Sequence, residues 1–324
     1  YNIQDVELID RLEDKMKLLE LAITMSYDAK VNFEDVYSQV RMWDTMIYNY
    51  LTDRNVVVPP RRVERKDEKY AGAYVKEPKA GCYDWVVSFD LNSLYPHLIM
   101  QYNISPETLI ESRHPSATVD KILEGTLDIS GEYCVCANGA QYRKDIHGFL
   151  PEMMQTIYDE RTIYKKKMLI AKQDYEKKPS ERLKKDIAKF NNIQMARKIQ
   201  LNSAYGAIGN QYFRYYNLAN AEAITLSGQV SIRWIEQRMN KYLNKILKTE
   251  DEDYVIASDT DSIYLNLGPL VETVYKGREK TPSSIVSFLN KVCEVELEKY
   301  ITSSYEALAS YVNAYDQKMF MKRE

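Results

Sequence analysis

The stretch Tyr254-Val255-Ile256-Ala257-Ser258-Asp259-Thr260-Asp261-Ser262-Ile263-Tyr264-Leu265 constrains the fold more than any other part of the chain. β-favouring apolar residues flank a short polar centre, a pattern that predicts strand, tight turn, strand. Such a turn pushes the carboxylates of Asp259 and Asp261 out of one sheet edge together. Like charges held that close call for a cation, and hard carboxylate oxygens suit Mg2+ or Mn2+. The competing reading of an isolated Asp-x-Asp is a solvated turn whose aspartates bond their own backbone. A second acidic strand end bears on the choice: Val86-Val87-Ser88-Phe89 is apolar and runs into Asp90. If the two elements share a sheet, their acids meet at a common edge, where two ions about 3.5–4 Å apart can share them in phosphoryl transfer. The turn from Leu91 to Pro96 then offers backbone amides to an anion. For Asp90 the alternative is a cap on the following helix.

Three blocks in order carry a family resemblance. Phe89-Asp90-Leu91-Asn92-Ser93-Leu94-Tyr95-Pro96 resembles the first palm motif of family B DNA polymerases, and Asp259-Thr260-Asp261-Ser262 resembles their palm hairpin. Between them, Lys198-Ile199-Gln200-Leu201-Asn202-Ser203-Ala204-Tyr205-Gly206 is similar to the fingers motif Lys-x-x-x-Asn-Ser-x-Tyr-Gly. A narrower resemblance, to the replicative polymerases of T-even-type bacteriophages, rests on Asn103-Ile104-Ser105-Pro106-Glu107-Thr108 and Phe213-Arg214-Tyr215-Tyr216. The fold implied is α+β: an antiparallel palm sheet backed by helices, with an inserted antiparallel helical hairpin as fingers. The implied division is 1–17 as the end of a 3′–5′ exonuclease domain, 18–61 as part of an N-terminal domain, 62–147 and 211–324 as palm, and 148–210 as fingers. The stretch 18–61 is expected to be helical and to close on the Pro-rich linker Val58-Pro59-Pro60-Arg61-Arg62.

A net charge of −3 is not what nucleic-acid binding first suggests, but the charge is segregated. Arg161 to Lys198 holds thirteen Lys or Arg against four acids, a balance of +9 that leaves −12 on the remainder. A field of that density attracts phosphates and releases counterions, although a solvated helix face accounts for many Lys-rich runs. The same segment reads as two helices broken at Lys177-Lys178-Pro179-Ser180. Arg161 and Lys165 share one face of the first, and Lys198, Asn202 and Tyr205 share a stripe of the second. Cations converging there need an anion, which a nucleoside triphosphate supplies.

The resemblance then implies roles. Asp90 and Asp261 hold two Mg2+ ions, with Asp259 assisting and Leu91 adding a backbone carbonyl. Ser93, Leu94 and Tyr95 line the nucleotide, with Tyr95 beneath the deoxyribose as a sugar gate; a core tyrosine beside Pro96 is the alternative. Arg161, Lys165 and Lys198 contact the triphosphate, and Lys198 is placed to protonate the departing pyrophosphate. Asn202, Tyr205 and Gly206 shape the base-pair pocket, while Arg214 and Tyr215 either touch template DNA or belong to a segment whose rings seal the junction of palm and fingers. Asp5, in Tyr1-Asn2-Ile3-Gln4-Asp5, matches an exonuclease metal ligand whose partner acids lie upstream, and helix capping competes. Substrates are primer–template DNA and deoxynucleoside triphosphates. The full-length polymerase adds a sliding clamp and replisome proteins in the cytoplasm of an infected bacterial host.

Three departures from the family pattern stand out: Ser258 where Gly is usual, the small Ala204, and His97 where Ser is common. Ser258 is expected to put a Cβ into the turn. Cys82, Cys134, Cys136 and Cys293 make no zinc pattern, and His97, His114 and His147 are unclustered. No apolar run reaches membrane-span length and no signal peptide is present. A start without Met and an end at Lys322-Arg323-Glu324 suggest a fragment or split subunit, without thumb or clamp-binding tail, for which a C-terminal fragment is a candidate partner. Rival classes are an RNA polymerase or reverse transcriptase, a two-metal nuclease, and a DNA- or partner-binding chain inactive alone. The first class does not expect the Lys-x-x-x-Asn-Ser-x-Tyr-Gly block, and the nuclease does not need the Arg161, Lys165 and Lys198 stripe.

Overall fold

The computed structural model describes residues 2–61, 70–277 and 281–324. Tyr1 of the exonuclease-like motif and Arg62 of the linker lie outside the described residues. In chain order come α1 (Asn2–Met16), α2 (Leu18–Ala29), α3 (Gln39–Thr52), β1 (Val75–Lys76), β2 (Val86–Leu91), α4 (Leu94–Tyr102), α5 (Val119–Glu124), β3 (Cys134–Val135) and β4 (Gln141–Tyr142). They are followed by α6 (Phe149–Lys177), α7 (Glu181–Ile208), α8 (Leu218–Leu247), β5 (Val255–Asp259), β6 (Ser262–Asn266), α9 (Gly268–Val274), α10 (Pro282–Val292), α11 (Glu298–Tyr311) and β7 (Met321–Arg323). No described helix is long and apolar enough to cross a membrane. Two compact units result: Tyr1–Asp67 with Met153–Asn217, and Glu68–Glu152 with Leu218–Glu324.

The first unit is helical. Its long hairpin breaks where Pro179 and Ser180 interrupt the helix formers, and Ser180 Oγ accepts the Leu183 amide at 3.2 Å as an N-cap. Glu160 pairs with Arg197 at 2.5 Å and Tyr164 meets Phe190 at 6.2 Å between ring centroids. One helix ascends as the other descends, so the two run antiparallel. The buried face of α7 rests on α2 and α3. Trp43, only 1% exposed, donates its indole N–H to Gln200 O at 3.2 Å and Ser203 Oγ at 3.1 Å. Asp28 on α2 pairs with Arg197 and accepts from Gln200 Nε2 at 2.6 Å. Within 18–61 the chain is helical over α2 and α3 and irregular from Asp53 to Arg61, and α2 and α3 form the platform under the second hairpin helix.

The second unit is built on a five-stranded antiparallel sheet in the order β1-β5-β6-β2-β7. Phe89, Leu91, Ile263 and Leu265 are buried by the alternation of these strands. α8, a long helix with Ile224, Ile232, Ile235 and Met239 fully buried, lies among the helices of this unit. α11 is tied to it by Trp234 Nε1 donating to Ser304 O at 2.9 Å and by Tyr305 OH to Ser231 O at 3.2 Å. This is the α+β arrangement expected: antiparallel sheet plus helical layer. Cys134, Cys136 and Cys293 are buried free thiols, and burial pushes Cys134 up to about 12 and Cys293 up to about 11.

Candidate active site

The predicted hairpin is present. Asp259 pairs with Ser262 across a two-residue turn, Thr260-Asp261, with φ 52° at Thr260. The Asp261 amide donates to Asp259 O at 2.5 Å, an i to i+2 bond that closes a γ-turn on Thr260, and a positive φ at such a position usually asks for Gly. A β-branched residue there stores strain between the two acids. Ser258 lies earlier, in β5, paired with Ile263 and with Lys76 of β1, outside the left-handed region. The Cβ at Ser258 therefore needs no special backbone, and the conformational demand expected at Ser258 falls on Thr260 instead.

β2 is the direct neighbour of β6, with Asp90 opposite Ser262, and the Leu91 amide donates to Asp261 O at 2.8 Å. Asp90 and Asp261 thus come to one sheet edge, as the sequence implied. Burial chiefly, then the charges of Asp261 and Glu324, pushes Asp90 up to about 6. Asp261 is raised by burial first, with Asp259 and Glu324 adding repulsion against a backbone hydrogen bond that lowers it. Asp259 itself is exposed, and its Oδ1 accepts from Thr260 Oγ1 at 3.0 Å. Among the described residues, no three His, Cys, Asp or Glu side chains are gathered closely enough to hold a metal ion. The donor chemistry nonetheless fits a hard divalent cation at Asp90 and Asp261, whose mutual repulsion a cation relieves, whereas Asp259 remains a peripheral acid.

Glu324 was not foreseen as a site residue. It follows β7, which pairs with β2 by setting Arg323 opposite Phe89 and Lys322 opposite Asp90. A three-residue strand has too little pattern to be read from sequence. The turn after β2 also differs from expectation. The Leu91 and Asn92 amides are used within the unit, by Asp261 O and by Phe320 O at 3.0 Å. The Leu91 and Asn92 amides, expected to face an anion, are therefore already spent on backbone carbonyls. Ser93 precedes α4 in the left-handed region, and the buried His97 ring Nδ1–H donates to its carbonyl at 2.9 Å. Tyr95 is half-buried against α8, where a Cβ on Gly228 would lie 3.7 Å from its Cε1. Burial and the nearby Asp261 charge raise its hydroxyl pKa.

A pH and metal dependence follows. A carboxyl bound to its proton more tightly folded than unfolded stabilises the fold while protonated. Its contribution is present below the ordinary value of 3.8 and is lost as pH rises through about 6. The metal-free thermal midpoint is expected to fall across that window and to recover on adding Mn2+. Asp90→Asn is expected to flatten the pH dependence and abolish the recovery; scanning calorimetry at stepped pH reads both.

In the first unit, Lys198 and Asn202 are exposed and Tyr205 is half-buried, so the stripe lies on the face of α7 opposite Trp43. Lys165 is exposed and Arg161 half-buried, and burial pulls the Arg161 guanidinium down. The Glu160–Arg197 pair adjoins both Arg161 and Lys198, which places the two cationic stripes at the same level of the hairpin. A Cβ at Gly206 would stand 2.1 Å from Gln39 Oε1, so a larger residue there displaces that side chain. Arg214 is engaged by Asp44 at 2.7 Å and Pro59 O at 2.6 Å, while Tyr215 is buried edge-on to Phe213. Asp5 sits in the first turn of α1, where a carboxylate complements the helix dipole.

A family model described as DNA polymerase family B matches residues 32–304. Over its whole length the chain is 34% identical to a DNA-directed DNA polymerase of Escherichia phage RB69 and 35% identical to that of Enterobacteria phage T4. It spans 40% of each. Over 92% of the chain it is 30% identical to the DNA polymerase delta catalytic subunit of Candida albicans, spanning 28% of that protein. With the match covering both the Asp90 strand and the Asp259–Asp261 hairpin, the chain belongs to DNA polymerase family B.

Proposed function

We propose that this chain is the catalytic core of a DNA-templated DNA polymerase acting in phage DNA replication. The observation that carries the reading is the placement of Asp90 and Asp261 at one sheet edge, each with a raised proton affinity, in a family B chain. In this reading Asp90 and Asp261, with the Leu91 carbonyl, hold two Mg2+ ions. Bound there, such ions would supply positive charge to offset that on the phosphoryl oxygens attacked in line by the primer 3′ hydroxyl. Asp259 adds field at the rim. Arg161, Lys165 and Lys198 take the triphosphate of the incoming deoxynucleotide, and Lys198 gives a proton to pyrophosphate as it leaves. Asn202, Tyr205 and Gly206 border the nascent base pair, with Ser93, Leu94 and Tyr95 beneath the sugar. The palm and fingers assignments, 62–147 with 211–324 and 148–210, belong to the same proposal, as do contacts of the longer protein with clamp and replisome in the host cytoplasm.

Primer extension by the purified chain, with deoxynucleotides and Mg2+ on a primed template, tests this. Template-directed addition that needs Mg2+ supports it, and folded protein without any addition refutes it. Tyr95→Ala is expected to narrow the preference for deoxynucleotides over ribonucleotides by about tenfold or more, because the ring is the bulk that a 2′ hydroxyl meets. An unchanged ratio removes Tyr95 from the sugar-gating role.

A further inference from the structure

The hairpin that carries Asp259 and Asp261 hangs on a very short edge strand. β1 contributes only Val75, opposite Asp259, and Lys76, opposite Ser258. One bond extends the contact to the turn, from the Thr260 amide to Tyr74 O at 3.1 Å, and one lies beyond the other end, from the Lys79 amide to Ile256 O at 2.9 Å. Two residues of ladder are too few to hold a strand in register unaided. The Lys76 side chain supplies the missing hold. Its ammonium, with the side chain 16% exposed, reaches Glu236 Oε1 on α8 and Asp253 Oδ2 just before β5, each at 2.7 Å. Asn240, one turn beyond Glu236 on the same helix face, donates to Asp253 Oδ1 at 2.8 Å. The Asn240 Oδ1 in turn accepts the amides of Tyr254 at 2.9 Å and Val255 at 3.2 Å, where β5 begins. A single ammonium therefore joins the edge strand, the helix and the root of the hairpin.

We propose that Lys76 is a positioning residue for polymerisation: by clamping β1 to Glu236 and Asp253 it fixes the backbone of the Asp259–Asp261 turn relative to Asp90. Its bearing on catalysis rests on the polymerase reading, but the clamp itself does not. β5 is bulged between Val255 and Ala257, so it is the sheet's less regular ladder, and the outer pairing with β1 limits its swing. β2 and β6 pair without irregularity over five positions and need no such help.

Hydrogen exchange decides the clamp without reference to activity. In Lys76→Met, exchange at the Thr260 and Lys79 amides, which donate to Tyr74 O and Ile256 O, is expected to rise about tenfold or more. Amides of Phe89 and Ile263 are expected to keep their protection, and Lys76→Arg to behave as the unsubstituted chain. Primer extension then reads the consequence: kcat lowered about tenfold with KM for deoxynucleotide within about twofold, and the Mg2+ concentration for half-maximal rate raised. Unchanged exchange at Thr260, or faster exchange spread evenly through the second unit, overturns the clamp. Faster exchange at the turn with unaltered kcat and Mg2+ dependence overturns its role in positioning. An unsubstituted chain that extends no primer refutes the polymerase reading, and with it the catalytic role given to Lys76, while the exchange result still stands or falls alone.

Discussion

Asp90→Asn and Asp261→Asn are each expected to lower single-turnover primer extension by about three orders of magnitude, with primer–template affinity changed less than about threefold. The amide keeps the shape of the carboxylate and removes its charge. What is lost is the half-buried pair of hard oxygen donors that shares the edge between β2 and the hairpin. Asp259→Asn is expected to cost far less, about tenfold, because that side chain is exposed and already bonded by Thr260 Oγ1. A second measurement separates lost chemistry from lost folding. With the repulsion between Asp90, Asp261 and Glu324 relieved, metal-free Asp90→Asn is expected to melt higher than the unsubstituted chain at neutral pH. Misfolding cannot raise the melting temperature and abolish extension together. An Asp90→Asn variant within tenfold of the original rate rejects the site.

The hairpin and the Asp90 strand were legible because each couples a run of apolar, β-favouring residues to a polar tip, and both rules act within a dozen residues. The helix break at Pro179 and Ser180 was legible for the same local reason. What escaped reading depends on distant partners. Lys76 sits in a charged stretch with no pattern, and its meaning comes from Glu236 and Asp253, far along the chain and brought to it only by the fold. Glu324 acquires its role through a strand of three residues paired to β2. At Arg214 the interleaved cation and aromatics point to DNA or to a sealed junction, and neither reading names its carboxylate partner. Nothing local announces that Asp44, one residue beyond the buried Trp43, meets its guanidinium at 2.7 Å. At Ser258 the sequence identified an unusual residue but misplaced the strain, since register decides which residue takes the positive φ, and register is set by pairing with β6 and β1.

Trp43→Ala is expected to destabilise the first unit by about 3–5 kcal/mol, the largest structural effect of any single substitution in that unit. The indole is buried and wedged beneath α7, with its N–H shared between Gln200 O and Ser203 Oγ. Truncation leaves a cavity under the helix whose outer face carries Lys198, Asn202 and Tyr205, and packing rather than propensity holds a long helix of this kind in place. Trp43→Phe fills most of the space and forfeits the donor, so about 1–2 kcal/mol is expected, softened because Ser203 Oγ also bonds Gln200 O at 2.9 Å. The three tryptophans make the result readable by unit. Trp85 and Trp234 lie in the second unit, so in Trp43→Ala the remaining fluorescence reports that unit alone, while far-ultraviolet circular dichroism reports the helices of both. In urea, the dichroism is expected to fall early and the fluorescence to hold to higher denaturant, with extension lost along with the early phase. Coincident transitions, unshifted from those of the unsubstituted chain, mean that Trp43 does not support α7 and that the face carrying Lys198, Asn202 and Tyr205 stands on other packing.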